Sequence, residues 1–207
     1  MPAYFSTYIV LLIISAAITF SASLTARKRK APGSSTLTAL LVALSMWSAF
    51  SAAQYIQEGF AAKFFWLNVM VVPVAAVPIL FMNFILKFSG NTVWFTRRTL
   101  IAFFVFSIAF ILLQWTNSYH HLVLSSVQLV EQDGFPVLEI QRGPIYFVNL
   151  ALAYSTVTIG TLTLMREALR ASNLYRNQYR LLLLGCIIPF AFSIYSQVKY
   201  ISFSSLD

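Results

Sequence analysis

Most side chains of this chain that could perform acid–base or metal chemistry lie in one polar segment. Residues 115–144 contain both histidines, His120 and His121, together with Glu131 and Asp133. A zinc site usually takes two ligands at a characteristic spacing from one element, and no two of these residues show such a spacing. The chain also lacks a nucleophile paired with a base, a phosphate-binding loop and paired carboxylates at helical spacing. We therefore expect no metal site, no cofactor and no catalytic residue.

The elements that must position these side chains are apolar. Of the 207 residues, 59% are hydrophobic and 10% are charged, which lies far outside the usage of soluble proteins. Six runs approach or exceed the roughly 20 residues that cross a hydrocarbon core, and continuous runs indicate helices because barrel strands alternate. The predicted helices cover residues 5–25, 34–55, 64–88, 98–117, 144–167 and 178–203. The predicted fold class is an all-α membrane protein, a polytopic bundle of six transmembrane helices.

The polar segment itself, residues 118–143, predicts a β-hairpin. The stretches "LVLSSVQLV" and "FPVLEIQ" are rich in Val, Leu and Ile, and they flank "EQDG", which supplies a glycine-containing turn. The hairpin would lie over the extracellular mouth of the bundle. Asn117, at the end of the preceding helix, could bind carbonyls that lose their intrahelical partners there.

The distribution of positive charge predicts the orientation of the chain. With the N-terminus outside, eleven of the fourteen Lys and Arg residues lie in the inner loops. Five of the six acidic residues lie outside: Glu58, Glu131, Asp133, Glu139 and Asp207. The positive-inside rule therefore favours an N-terminus outside the cell (plasma) membrane, the inner membrane of bacteria.

The same distribution explains the formal net charge of +8 without a nucleic-acid partner. The basic residues adjoin the membrane in three loops, and no soluble domain presents them as a binding surface. The expected partner is the lipid bilayer, in particular its anionic inner leaflet.

Several short motifs together resemble the N-terminal seven-transmembrane region of sensor histidine kinases, which also precedes diguanylate cyclases. Thr116, Asn117 and the following histidine, within "WTNSYHHL" at 115–122, are the most specific of them. The other matching features are Trp47, "KFFW" at 63–66, Pro73, Pro78, "LKFSG" at 86–90, "RGP" at 142–144, "YRNQYR" at 175–180 and Pro189.

The resemblance implies that residues 1–207 form a transmembrane sensor domain whose output domain lies outside this chain. That output would be a histidine kinase or a diguanylate cyclase, through which the protein could form a homodimer. Six spans that start outside also end outside. We therefore expect either that six helices are the whole protein or that a seventh follows them.

Uncharged polar residues enter the predicted spans at a common depth near the outer surface. Asn68, Asn149 and Gln197 lie about 8–9 Å down at 1.5 Å per residue, and Gln114 lies slightly nearer the surface. Such residues usually face a bundle interior or a cavity. Four aromatic residues adjoin them, namely Trp66, Trp115, Tyr154 and Tyr195. The eight residues predict either a site for a small, partly apolar ligand or hydrogen bonds that hold helices together.

Two other functions compete with that of a sensor. A six-helix transporter or permease subunit should show inverted repeats, and no convincing internal repeat is present. A retinal-type photoreceptor needs a buried lysine for its Schiff base. Lys199 is the lysine nearest to a span interior, and its position near the helix end favours a side chain that extends to the membrane surface.

Overall fold

The computed structural model describes residues 3–90, 97–132, 134–170 and 173–204, which form helices and one two-stranded sheet. In chain order the elements are α1 (Ala3–Arg27), α2 (Ser34–Ile56), α3 (Phe60–Ser89), α4 (Arg97–Trp115), α5 (Asn117–His120), β1 (Leu124–Gln132), β2 (Phe135–Arg142), α6 (Pro144–Arg170) and α7 (Asn173–Ser204). Six of the helices are long and apolar enough to cross a membrane. The predicted fold class, a polytopic helical bundle with a small hairpin, is confirmed.

Two helix boundaries differ from the prediction in a way that matters for the site. The third transmembrane helix begins at Phe60, immediately after the extended backbone of Gly59, and it therefore includes Lys63. The fourth ends at Trp115, and the polar residues after Thr116 form the separate short helix α5. Apolar length predicts where a span lies but not where hydrogen bonding of the helix stops.

Residues 1–157 form the first of two compact units. Within it α1 packs on α2, and the buried Ser45 hydroxyl donates to the Ala16 carbonyl across that interface at 2.9 Å. Helix α3 follows α2 and buries Met82 and Ile85 near its C-terminal end. A separate apolar cluster lies nearer its N-terminal end and consists of Leu67, Ala75, Phe110, Val123 and Leu124.

The prolines of α3 do not end the helix. Pro73 and Pro78 both lie inside Phe60–Ser89, where each removes a backbone donor from the helical ladder. Between them, the Ser107 hydroxyl of α4 donates to the Ala75 carbonyl at 3.3 Å. This segment of α3 is therefore held by a neighbouring helix as well as by its own backbone.

Residues 158–207 form the second unit, which contains the C-terminal part of α6 and all of α7. No side chain between Arg176 and Gln197 is buried. Apolar side chains that are exposed here and in the first unit, such as Phe104, Leu112 and Phe192, are suited to contact with lipid because a bilayer core solvates them.

Candidate functional site

The predicted hairpin is present and joins α5 to α6. Its strands pair antiparallel from Leu124 with Arg142 to Gln132 with Phe135, with an irregularity between Leu124 and Ser126. The loop is two residues long, and its Gly134 has a φ of 75°, a left-handed conformation that favours glycine. The other loop residue, at position 133, lies outside the described residues.

The hairpin is packed on the helices. Val123 and Leu124 are buried in one cluster with Leu67 of α3 and Phe110 of α4. Strand residues such as Leu138 pack against this cluster from the side. We call this end of the first unit, formed by the hairpin, α5 and the adjoining ends of α3 and α4, the hairpin end.

Asn117 fastens the hairpin to the end of α4 through three hydrogen bonds. Its Oδ1 accepts from the backbone amides of Val123 at 3.0 Å and Leu124 at 3.1 Å, and its Nδ2 donates to the Leu124 carbonyl at 2.8 Å. The residue is buried. The expectation that Asn117 binds the last carbonyls of the helix is therefore wrong. Its side chain binds the backbone of Val123 and Leu124 at the start of β1.

His120 also stabilises the turn between α4 and β1. Its Nδ1 accepts from the Leu122 amide at 3.0 Å, and its Nε2 lies 3.3 Å from the Thr116 hydroxyl. Within the part of the chain that the structure describes, no group of three His, Cys, Asp or Glu residues could hold a metal ion. Thr116, Asn117 and His120 thus act together as the junction between α4 and the hairpin.

Gly143 makes the corresponding junction on the other side of the hairpin. Its amide donates to the Val123 carbonyl at 2.8 Å, and the Ile145 amide donates to the Leu122 carbonyl at 3.0 Å. A Cβ atom on Gly143 would overlap the carbonyl oxygen of Leu122. The "RGP" motif is therefore explained by close backbone approach, with Pro144 starting α6.

Lys63 is a buried cation at the hairpin end, with a side chain 2% exposed. Its Nζ donates to the Gln54 carbonyl at 3.3 Å and to the Tyr55 carbonyl at 3.5 Å, and it lies 4.9 Å from the centre of the Phe135 ring. The C-terminal carbonyls of a helix and the face of an aromatic ring both attract a cation. The predicted helix of residues 64–88 leaves Lys63 just outside it, and the sequence does not reveal its partners because they come from α2 and the hairpin.

Asn68 and Gln114 contact each other between α3 and α4. Gln114 Nε2 donates to Asn68 Oδ1 at 2.9 Å, and both residues are buried. The Asn68 amide nitrogen and the Gln114 oxygen make no hydrogen bond to any other residue that the structure describes. The pair therefore joins two helices and also keeps one donor group and one acceptor group unused.

The other predicted site residues lie on several elements. The Trp66 and Trp115 rings both contact the Phe65 ring, with centroids 5.6 Å and 6.3 Å away, and Trp115 is exposed. Asn149 and Tyr154 lie half-buried on α6 in the first unit. Gln197 and Tyr195 belong to the second unit, where Tyr195 is exposed. The convergence of all eight on one cavity stays a prediction.

A family model described as the N-terminal 7TM region of histidine kinase matches residues 10–207. A search of curated proteins and a search of solved structures each found no match.

Proposed function

The chain belongs to the family of N-terminal 7TM regions of histidine kinases, and from this premise we propose that it binds a small, partly apolar ligand at the hairpin end. Membership of this family makes the chain a multi-pass transmembrane sensor module. In the proposed mechanism, ligand binding shifts the helices between two packings, and the shift reaches a cytoplasmic output domain.

The observation that carries this proposal is the buried Asn68–Gln114 pair with its unused donor and acceptor. Polar groups inside a membrane bundle are costly unless they are hydrogen-bonded or functional. A ligand with one acceptor and one donor could bind the free Asn68 nitrogen and the free Gln114 oxygen without breaking the bond between them. Asn149 is the candidate for a further polar contact from α6.

The surroundings of the pair supply the apolar part of such a site. Leu67, adjacent to Asn68 in α3, is buried in the cluster that also contains Val123 and Leu124 at the start of the hairpin. Small-molecule sites typically combine apolar walls with a few well-placed polar groups. The hairpin would then act as a cover whose packing depends on what lies beneath it.

Helix α3 is the candidate for the relay. It carries Lys63 and Asn68 at the hairpin end, and its opposite end buries Met82 and Ile85. Pro73 and Pro78 weaken the helical ladder between these two ends. A change in the Asn68–Gln114 contact could therefore alter the bend of α3 and move its other end.

The test begins with purified chain in detergent, screened for small, partly apolar molecules that raise its melting temperature. For a molecule found in this way, Asn149→Leu and Gln114→Leu should each raise the dissociation constant about tenfold or more. A pocket hydrogen bond left without its partner costs ~1–3 kcal/mol, and 1.4 kcal/mol corresponds to a factor of ten.

Asn83→Leu is the matched control, because Asn83 is also half-buried but lies at the other end of α3. It should change the dissociation constant less than about twofold, since the ligand would not reach it. Suppose instead that Gln114→Leu only lowers bundle stability, by about 0.6 kcal/mol as for an average interhelical hydrogen bond in a membrane, with unchanged binding. The pair would then be structural, and the ligand site proposed here would be wrong.

A further inference from the structure

The second unit contains a groove between the C-terminal end of α6 and the first turns of α7. It has a volume of about 430 Å³. Four of its lining side chains are apolar and two are arginines: Met165, Ala168, Leu169, Leu183, Arg176 and Arg180. The groove thus combines an apolar wall with two positive charges, and the site proposed above does not use it.

The two arginines are available to a ligand. Arg176 and Arg180 are spaced four residues apart and therefore lie on one face of α7. Neither forms a hydrogen bond or an ion pair with any residue in the described ranges. Arg166 and Arg170 are exposed on α6 and do not line the groove, and the acid of this segment is Glu167. The local charge therefore favours an anion.

The position of the groove favours an anion attached to a lipid. Helix α6 ends at Arg170 and α7 begins at Asn173, and both helices are candidate membrane spans. The end of α6 and the start of α7 are therefore expected where hydrocarbon meets water. At this depth a phospholipid presents its phosphate next to the start of its acyl chains, and the groove likewise has arginines beside apolar side chains.

We propose that this groove binds one anionic phospholipid. Its phosphate contacts Arg176 and Arg180, since guanidinium groups match phosphate oxygens with paired hydrogen bonds. One acyl chain lies along Met165 and Leu183, the lining residues farthest from the end of α6 and the start of α7, respectively. Basic pockets between transmembrane helices are known to hold such headgroups, and here the pocket would couple α6 to α7 through the lipid.

The experiment measures lipid binding to the full chain in detergent by native mass spectrometry. The probes are phosphatidylglycerol, which is anionic, and phosphatidylcholine, which has no net charge. The double variant Arg176→Gln/Arg180→Gln should bind phosphatidylglycerol at least about tenfold more weakly than the unchanged chain. The affinity for phosphatidylcholine should change less than about threefold, because this lipid has no net charge for the arginines to attract.

Arg166→Gln/Arg170→Gln is the matched control, with the same charge removed at the same spacing but outside the groove lining. Its affinity for phosphatidylglycerol should change less than about threefold. An equal loss in both double variants would mean that general surface charge attracts the lipid, and the proposal would be wrong.

Glycerol 3-phosphate, a headgroup without acyl chains, separates a lipid site from a phosphate site. It should not displace phosphatidylglycerol at equal concentration, because it lacks contacts with the apolar wall. Displacement by glycerol 3-phosphate as effective as by the lipid would assign the site to free phosphate and overturn the assignment to lipid.

Discussion

Two side chains at the hairpin end, those of Asn117 and His120, each bind more than one group of the chain between the end of α4 and the start of β1. Asn117 uses both polar atoms of its side chain on the backbone of Val123 and Leu124. His120 uses both ring nitrogens within the same turn. Buried backbone groups that leave regular structure need such partners. This explains the motif of Thr, Asn and His in terms of backbone hydrogen bonds that would otherwise be missing.

Asn117→Ala should loosen the hairpin from α4. The change leaves two buried amides and one carbonyl without partners, and each unsatisfied group costs about 1–3 kcal/mol. We expect a loss of at least about 2 kcal/mol in the free energy that docks the hairpin. Hydrogen exchange of the amides in residues 123–142 measures it. Ser118→Ala, an exposed neighbour in the same turn, should leave the exchange unchanged; equal rates in both variants would contradict the role of Asn117.

At the scale of elements, the hairpin connects helices that are distant in the chain. Phe135 of β2 covers Lys63 of α3, whose Nζ in turn binds the last carbonyls of α2. Gly143 brings the end of β2 against Val123, the residue before β1. Displacement of the hairpin would therefore disturb contacts that involve α2, α3 and α6. This connectivity is what a cover over a ligand site needs.

Gly143→Ala should disrupt the junction between the hairpin and α6. The new Cβ would overlap the Leu122 carbonyl oxygen, and overpacking of this kind costs about 1–3 kcal/mol. The melting temperature of the purified chain should fall, and protease cleavage at Arg142 should become faster.

Gly59→Ala provides the matched control, because a Cβ at Gly59 meets nothing within 4 Å and its φ is −81°. A glycine replaced at a compatible position stabilises by about 0.4–1 kcal/mol. If Gly143→Ala were tolerated as well as Gly59→Ala, close approach at this junction would not limit the fold.

At the scale of the whole molecule, positive charge is concentrated in alternate loops. Four basic residues lie between positions 27 and 30, and further arginines flank the loop between α6 and α7. The segment with the hairpin carries three of the six acids, Glu131, Asp133 and Glu139. The positive-inside rule therefore predicts that the hairpin end faces outward.

Cysteine labelling in intact cells tests this orientation on a Cys186→Ala background. A membrane-impermeant maleimide should label Tyr119→Cys, since Tyr119 is 88% exposed in the hairpin segment. Ala31→Cys and Ser172→Cys, in loops predicted to be inside, should react only after the cells are permeabilised. Labelling of the two inner positions in intact cells, with Tyr119→Cys unreactive, would mean that the chain is inserted the other way round.

The sequence by itself determined the features that depend on short stretches of chain. Apolar runs long enough to cross a bilayer predicted the six helices, because a membrane-spanning segment satisfies its backbone within itself. A glycine at position 134 between two stretches rich in Val, Leu and Ile predicted the hairpin, because a tight turn depends on the residues within it.

Only the tertiary structure decided which side chains meet. Helices that are apolar on all sides carry little information about which face turns inward, so the Asn68–Gln114 bond could not be separated from other pairings at the same depth. The predicted span of residues 64–88 excludes Lys63, and the partners of Lys63, the α2 carbonyls and Phe135, are set by helix ends and hairpin packing. The partners of Asn117 likewise depend on where the chain turns after α5. Rotation of a helix about its axis and the path of a loop are properties of the packed molecule, because they are settled by contacts between segments far apart in sequence.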